Sequence, residues 1–140
     1  MRVVIIGNGV AGMEAALALR DREPDWELTL ISEESEHFFS RTALMWVCAG
    51  QLSYRDIEPL ERDAYARFGL RRVRARAVGI DGSARVVRLA GGLDPIPYDR
   101  LLIASGSAPR PGPWPGSDAR GVGHFVTLQD LDWLERELHG

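Results

Sequence analysis

A single cysteine in 140 residues leaves no partner for a disulfide and cannot build a Cys-rich zinc site, so the chain suits a reducing compartment. Long apolar runs are missing as well. None approaches the roughly 18 residues of a membrane-spanning helix, and no basic stretch followed by an apolar one marks a secretory leader. Positive charge is in short supply, with 17 Lys+Arg against 20 Asp+Glu and a net charge of −3. A mildly acidic chain is a poor match for nucleic acid and offers an anionic membrane nothing to attract. His37, His124 and His139 lack metal-ligand spacing. No Ser/His/Asp set, placed carboxylate pair, repeat or low-complexity tract is present. These absences predict a cytoplasmic protein with no metal, no membrane span and no nucleic-acid partner.

What is present is ordinary globular material, 45% hydrophobic and 26% charged. A chain of 140 residues can bury a real core, with room for one cofactor half-site rather than a whole two-cofactor enzyme. Residues 2–6 (Arg-Val-Val-Ile-Ile) are the β-branched run of a strand buried on both faces. Gly7-Asn8-Gly9-Val10-Ala11-Gly12 comes at once, and then an Ala/Leu/Glu-rich helix over Met13 to Arg20. Pro24-Asp25 ends that unit, and Glu27 to Ile31 reads as a second strand. Residues 33–40 read as an acidic, then aromatic loop. Helices are expected over Thr42 to Ala49 and over Glu58 to Phe68, the latter stopped by Gly69. Residues 70–98 read as an antiparallel meander turning at Asp81-Gly82-Ser83 and Gly91-Gly92. Leu101 to Ala104 reads as a further buried strand, Pro109 to Gly116 as an extended connector, and Thr127 to Leu138 as an amphipathic helix opened by a Thr127/Asp130 capping box.

The glycine pattern carries the chemistry. After a strand, the first glycine permits a sharp turn, the second lets backbone approach a pyrophosphate, and the third allows close helix–sheet packing. The helix N-terminus adds unpaired N–H groups and partial positive charge. An acid about 20 residues on should hold a ribose hydroxyl, and Glu33 lies 21 residues after Gly12. Strand, glycines, helix, second strand and acid fall in the order of a dinucleotide-binding βαβ unit, which by itself leaves FAD and NAD both open.

Further residues narrow the choice. Leu30-Ile31-Ser32-Glu33-Glu34, Phe39-Ser40-Arg41 leading to Leu44, Tyr98 to Ser107 with its Ala104-Ser105-Gly106, Pro109-Arg110, Pro115-Gly116, Gly121-Val122 and Thr127 to Asp130 join the first motif. Together they resemble the N-terminal FAD-binding part of the pyridine nucleotide–disulfide oxidoreductase superfamily. The branch is that of NAD(P)H-dependent ferredoxin, rubredoxin and nitrite reductase-type flavoproteins. Ser105 stands where the family's second signature has threonine. The resemblance implies an α/β, Rossmann-like FAD/NAD(P)-binding domain, a parallel sheet with an inserted antiparallel β-meander. It implies FAD at Gly7, Asn8, Gly9, Val10, Ala11 and Gly12, with Glu33 on the adenosine ribose and Glu34 as a substitute. Arg41 would lie near the diphosphate or flavin, Ala77 and Val78 beside adenine, and Ala104, Ser105 and Gly106 over the cofactor.

The chain departs from the family pattern in two ways. Thiol-using members carry their redox cysteine near the position of Arg41 or Thr42, and Cys48 falls about six residues later, which reads as a buried structural cysteine. The family also continues into an NAD(P)H domain and an interface domain. The expected division is therefore 1–110 as the FAD-binding domain and 111–140 as connector and helix. The whole would be the FAD-binding portion of an NAD(P)H-dependent oxidoreductase, a fragment or a short chain needing a partner, with the acceptor unidentified. A stand-alone dinucleotide-binding module, or a domain that dimerises through an open sheet edge, are the alternatives. Arg71, Arg72, Arg74 and Arg76 read as a solvated strand face, and Trp46 as a core aromatic.

Overall fold

The computed structural model describes residues 1–110 and 112–139. Pro111, part of the expected connector, and Gly140 lie outside the described residues, as does the side chain of His139. The chain divides into two compact units, residues 1–39 with 58–106, and residues 40–57 with 107–140. Residues 40–57 thus group with the C-terminal stretch and not with the rest of 1–110.

In the first unit a four-stranded parallel sheet has the order β3-β2-β1-β7, from β1 (Arg2–Ile6), β2 (Glu27–Ser32), β3 (Leu70–Arg74) and β7 (Arg100–Ile103). The β-branched run at 2–6 alternates between two cores. Val3 and Ile5 face helix α1 (Val10–Arg22) through Met13 and Ala16, together with Leu28, Leu30, Tyr65 and Leu70. Val4 packs on the opposite face with Ile31 and with Val87, Leu89, Ile96 and Tyr98. The second face is covered by a three-stranded antiparallel sheet, β4 (Ala77–Asp81), β5 (Val86–Leu89) and β6 (Ile96–Pro97). Burial on both faces explains why β1 contains no polar alternation. Arg20 at the end of α1 ties the layers together, donating from Nε to the Phe68 carbonyl at 2.8 Å and from Nη2 to the Trp26 carbonyl at 2.8 Å.

Three expectations change. The meander does not begin at residue 70: β3 joins the main sheet, Leu70 opposite Leu28 and Val73 opposite Ile31, because Leu70 buries in the α1-side core. The helix over 58–68 shrinks to α3 (Ala64–Arg67), with Pro59 disfavouring helical backbone at Glu58. The strand at 101–104 is not fully buried. It is an edge strand, with Leu102 37% and Ile103 60% exposed, because no described strand lies beyond it.

The second unit contains a 3-10 turn at Arg41–Ala43 running into α2 (Leu44–Cys48), another at Tyr54–Ile57, and α4 (Leu128–His139). The capping box is present. Asp130 accepts from the backbone N–H groups of Val126 at 2.8 Å and Thr127 at 2.7 Å, while its own N–H donates to Thr127 Oγ1 at 3.1 Å. Trp46 is 46% exposed and not a core aromatic, because the five-residue α2 has only one fully buried position, Leu44. Cys48 is free and half-buried.

Candidate functional site

The chain leaves β1 and reverses direction in space. β2 and β3 lie on one side of β1 and β7 on the other, so the carboxyl ends of β1 and β7 form the topological switch point of the sheet. In open α/β sheets ligands bind in that crevice. The Ala104 N–H donates to the Ile6 carbonyl at 2.7 Å, which brings Ala104, Ser105 and Gly106 beside the loop 7–12. The two signatures expected to share a cofactor are therefore adjacent.

The three motif glycines have different reasons to be glycine. Gly7 has φ +115°, and a β-carbon there would lie 2.1 Å from the Ala104 carbonyl oxygen. At Gly12 a β-carbon would lie 2.0 Å from the Gly7 carbonyl oxygen. The fold itself requires both. Gly9 is different: its backbone, φ −84° and ψ −173°, suits any residue, and a β-carbon would meet nothing within 4 Å. Nothing among the described residues demands glycine at that position, whereas a group resting against the backbone would.

Gly9 is also the N-cap of α1, where no side chain caps the helix and the first turn holds no acid. The first N–H groups of a helix have no intrahelical acceptor, and with the helix dipole they favour an anion. Val10 and Ala11 are exposed there. Asn8, whose side chain could have capped, is buried and turned inward, its Nδ2 donating to the Glu36 carbonyl at 3.4 Å. Among the described residues its Oδ1 is buried without a hydrogen-bond partner and borders a small cavity shared with Leu30, Ser35 and Arg72. The residues present fit a diphosphate linked to a ribose: open backbone at Gly9, an uncapped helix, and Glu33 exposed just past β2.

Glu33 does not stand alone. Arg76 Nε lies 3.8 Å from its Oε2, both side chains exposed, and Ala77 follows Arg76 directly. This carries the start of β4 to Glu33. Ala77 is half-buried against the meander-side core, while Val78 is exposed, and Glu34 is half-buried. Arg41 belongs to the other unit, where its guanidinium donates to the Val126 carbonyl.

The solvated-face reading fails for Arg72. Its guanidinium is 4.7 Å from the Tyr65 ring centroid, Nη1 lies 2.6 Å from His37 Nε2, and Glu36 is 3.6 Å away. Burial comes first among the effects that lower the His37 pKa, followed by the Arg72 charge. Burial also pushes the Tyr65 hydroxyl up, and that hydroxyl accepts from the Phe38 N–H at 2.6 Å. Period-two alternation put Arg72 with its neighbours, and no sequence signal linked it to Tyr65 or His37.

Comparison with known proteins agrees with this geometry. A family model described as pyridine nucleotide-disulphide oxidoreductase matches residues 1–140. The chain is 30% identical over 135 residues to the assimilatory nitrate reductase electron transfer subunit of Bacillus subtilis (strain 168), covering 95% of this chain and 17% of that protein. It is 31% identical over 136 residues to the probable ferredoxin reductase CtmF of Castellaniella defragrans, covering 96% of this chain and 33% of that protein. The solved NADH:rubredoxin oxidoreductase from Clostridium acetobutylicum matches with a TM-score of 0.86 at 27% identity, over 99% of this chain and 35% of that one. The chain thus spans between 17% and 33% of the length of these two curated relatives.

Proposed function

Because the chain belongs to the pyridine nucleotide-disulphide oxidoreductase family, we propose that it is the FAD-binding portion of an NAD(P)H-dependent flavoprotein oxidoreductase. The observation that carries the reading is Gly9, a glycine that the fold does not need, set at the uncapped start of α1 in the switch-point crevice. In this reading the backbone of Gly7 to Gly12 and the α1 N-terminus hold the diphosphate. Glu33 accepts from a ribose hydroxyl, oriented by Arg76, with Glu34 beside it. Ala77 and Val78 flank the adenine, and Ala104 to Gly106 close the crevice. FAD, when bound, supplies a two-electron carrier between a reduced nicotinamide and a downstream acceptor. The nicotinamide contacts and the acceptor belong to the whole enzyme, of which these residues are the cofactor-holding part. In this reading Cys48, half-buried in α2, is given no redox role.

The test is titration of the purified chain with FAD, NADH, NADPH and ADP separately, followed by flavin absorption and calorimetry. FAD should bind most tightly, and Glu33→Ala should weaken it by about 1.5–3 kcal/mol, the range for a lost charged hydrogen bond. Preference for ADP or NAD would make the chain a binding module, and a folded chain that binds none of them would refute the reading. The exposed edge of β7 favours a second, compatible role in which a further strand, from the same protein or a second copy, pairs with Arg100–Ile103. Size-exclusion with light scattering distinguishes a homodimer from a monomer.

A further inference from the structure

The loop between β2 and the second unit is braced by one bond within it and anchored from outside by two. Ser35 Oγ donates to the His37 carbonyl at 2.7 Å, Asn8 Nδ2 reaches the Glu36 carbonyl at 3.4 Å, and the Tyr65 hydroxyl accepts from the Phe38 N–H at 2.6 Å. Between these anchors the His37 ring meets Tyr65 edge-on, with centroids 5.7 Å apart and planes at 72°. Arg72 Nη1 lies 2.6 Å from His37 Nε2. A guanidinium only donates, so Nε2 must accept, which fixes a neutral imidazole with its proton on Nδ1. A second proton would set two donors and two positive charges face to face.

We propose that His37 and Arg72 form an acid-sensitive latch on the loop 33–39. With His37 neutral, the loop is fastened to β3 and α3. Protonation of His37 breaks the bond to Arg72, loosens the loop between its Asn8 and Tyr65 anchors, and weakens the hold on the adenosine half of FAD. The coupling runs through the chain itself: Glu33 opens this loop, and Asn8 of the glycine turn is bonded to its middle. This consequence for FAD rests on the proposed FAD-binding role of the crevice.

The charges around His37 set the direction. Arg72 of β3 opposes a proton on the ring, and Arg62, before α3, adds to it. Glu58 and Glu36 pull the other way. Glu58 is largely engaged, since Arg62 grips both its oxygens at 2.9 Å, and Glu36 shares Arg72 at 3.6 Å. Tyr65, from α3, keeps its proton and presents a neutral ring in T-shaped contact. Burial disfavours the imidazolium further. A proton on His37 is therefore resisted in the latched state and accepted more readily once the loop is free.

The experiment measures FAD affinity from about pH 8 to about pH 5.5 for the wild-type chain and for His37→Gln, whose amide oxygen can accept from Arg72 without titrating. Wild-type affinity should fall on acidification by up to about tenfold per pH unit, the limit for one linked proton. The His37→Gln profile should be flat. A flat wild-type profile, or an equal fall in both proteins, overturns the latch. Failure to bind FAD at about pH 8 overturns the cofactor reading instead, and the latch is then decided in the FAD-free chain by NMR. The His37 ring should titrate below 6.5 together with the Ser35 and Phe38 amides, and Arg72→Met should move that midpoint up. A midpoint that Arg72→Met leaves in place, or loop amides that ignore it, refutes the latch.

Discussion

Substitution at Gly9 separates what the fold needs from what a ligand needs. A β-carbon at Gly9 meets nothing within 4 Å, and φ −84° is open to every residue. Gly9→Ser therefore introduces no clash. It removes glycine's excess freedom in the unfolded chain, worth about 0.4–1 kcal/mol. It also supplies a hydroxyl cap for the N–H groups of α1, a gain of a few tenths of a kcal/mol over glycine. The ligand-free chain should become more stable by about 0.5–1.5 kcal/mol, raising Tm by a few degrees for a domain of this size. The same hydroxyl occupies the ground where a diphosphate would lie and takes one of its donors. Losing one hydrogen bond to a charged group costs about 1.5–3 kcal/mol, roughly 10- to 150-fold in Kd. Stability and affinity should thus move in opposite directions, read by denaturant unfolding without ligand and by FAD titration of the same preparation. A Gly9→Ser chain that binds FAD as well as wild type would refute the account, as would one whose loss of affinity tracks a loss of stability. Gly12→Ala is the counterpart. Its β-carbon would sit 2.0 Å from the Gly7 carbonyl oxygen, a backbone atom with little room to yield. Stability should fall by about 3 kcal/mol or more, the upper range for overpacking, with binding lost as a consequence.

The loop and the sheet edge offer two more tests. Tyr65, 2% exposed, accepts the Phe38 N–H at 2.6 Å, so Tyr65→Phe should cost about 1–2 kcal/mol in urea unfolding and speed hydrogen exchange at the Phe38 amide. Unchanged exchange there would refute the bond. The Asp99 carboxylate accepts from the Arg2 N–H at 2.7 Å and from Arg2 Nη2 at 3.0 Å, and this pairing holds its pKa at about 2 against an ordinary 3.8. A depressed carboxylate stabilises the fold above its unfolded pKa and loses that contribution as pH falls through the folded one. Asp99→Asn should therefore melt below wild type at neutral pH, with the gap closing between about pH 4 and about pH 2. A gap that stays constant would refute the ion pair's role.

Much of the fold is legible locally. The β-branched 2–6 run, the glycine turn, α1 and β2 arise from backbone preferences of adjacent residues, and the Thr127/Asp130 cap from a spacing of three. The misreadings share a cause. Leu70–Arg74 alternates as an antiparallel strand would, yet it lies parallel to β2, because a strand's partner depends on where distant chain arrives. Arg72 reads as a solvent-facing arginine until Tyr65 and His37, from two other segments, close around it. Leu102 and Ile103 read as buried until the sheet order puts β7 at an edge.

The sequence by itself determined the βαβ unit with its glycine turn, because strand, turn and helix start are fixed by short-range spacing. Only the tertiary structure decided which glycine the fold itself leaves unconstrained. Gly7 and Gly12 are hemmed in by the backbone of Ala104 and of Gly7 itself, while Gly9 faces open space. Closeness of that kind is a property of chain segments brought together, and no spacing along the sequence encodes it.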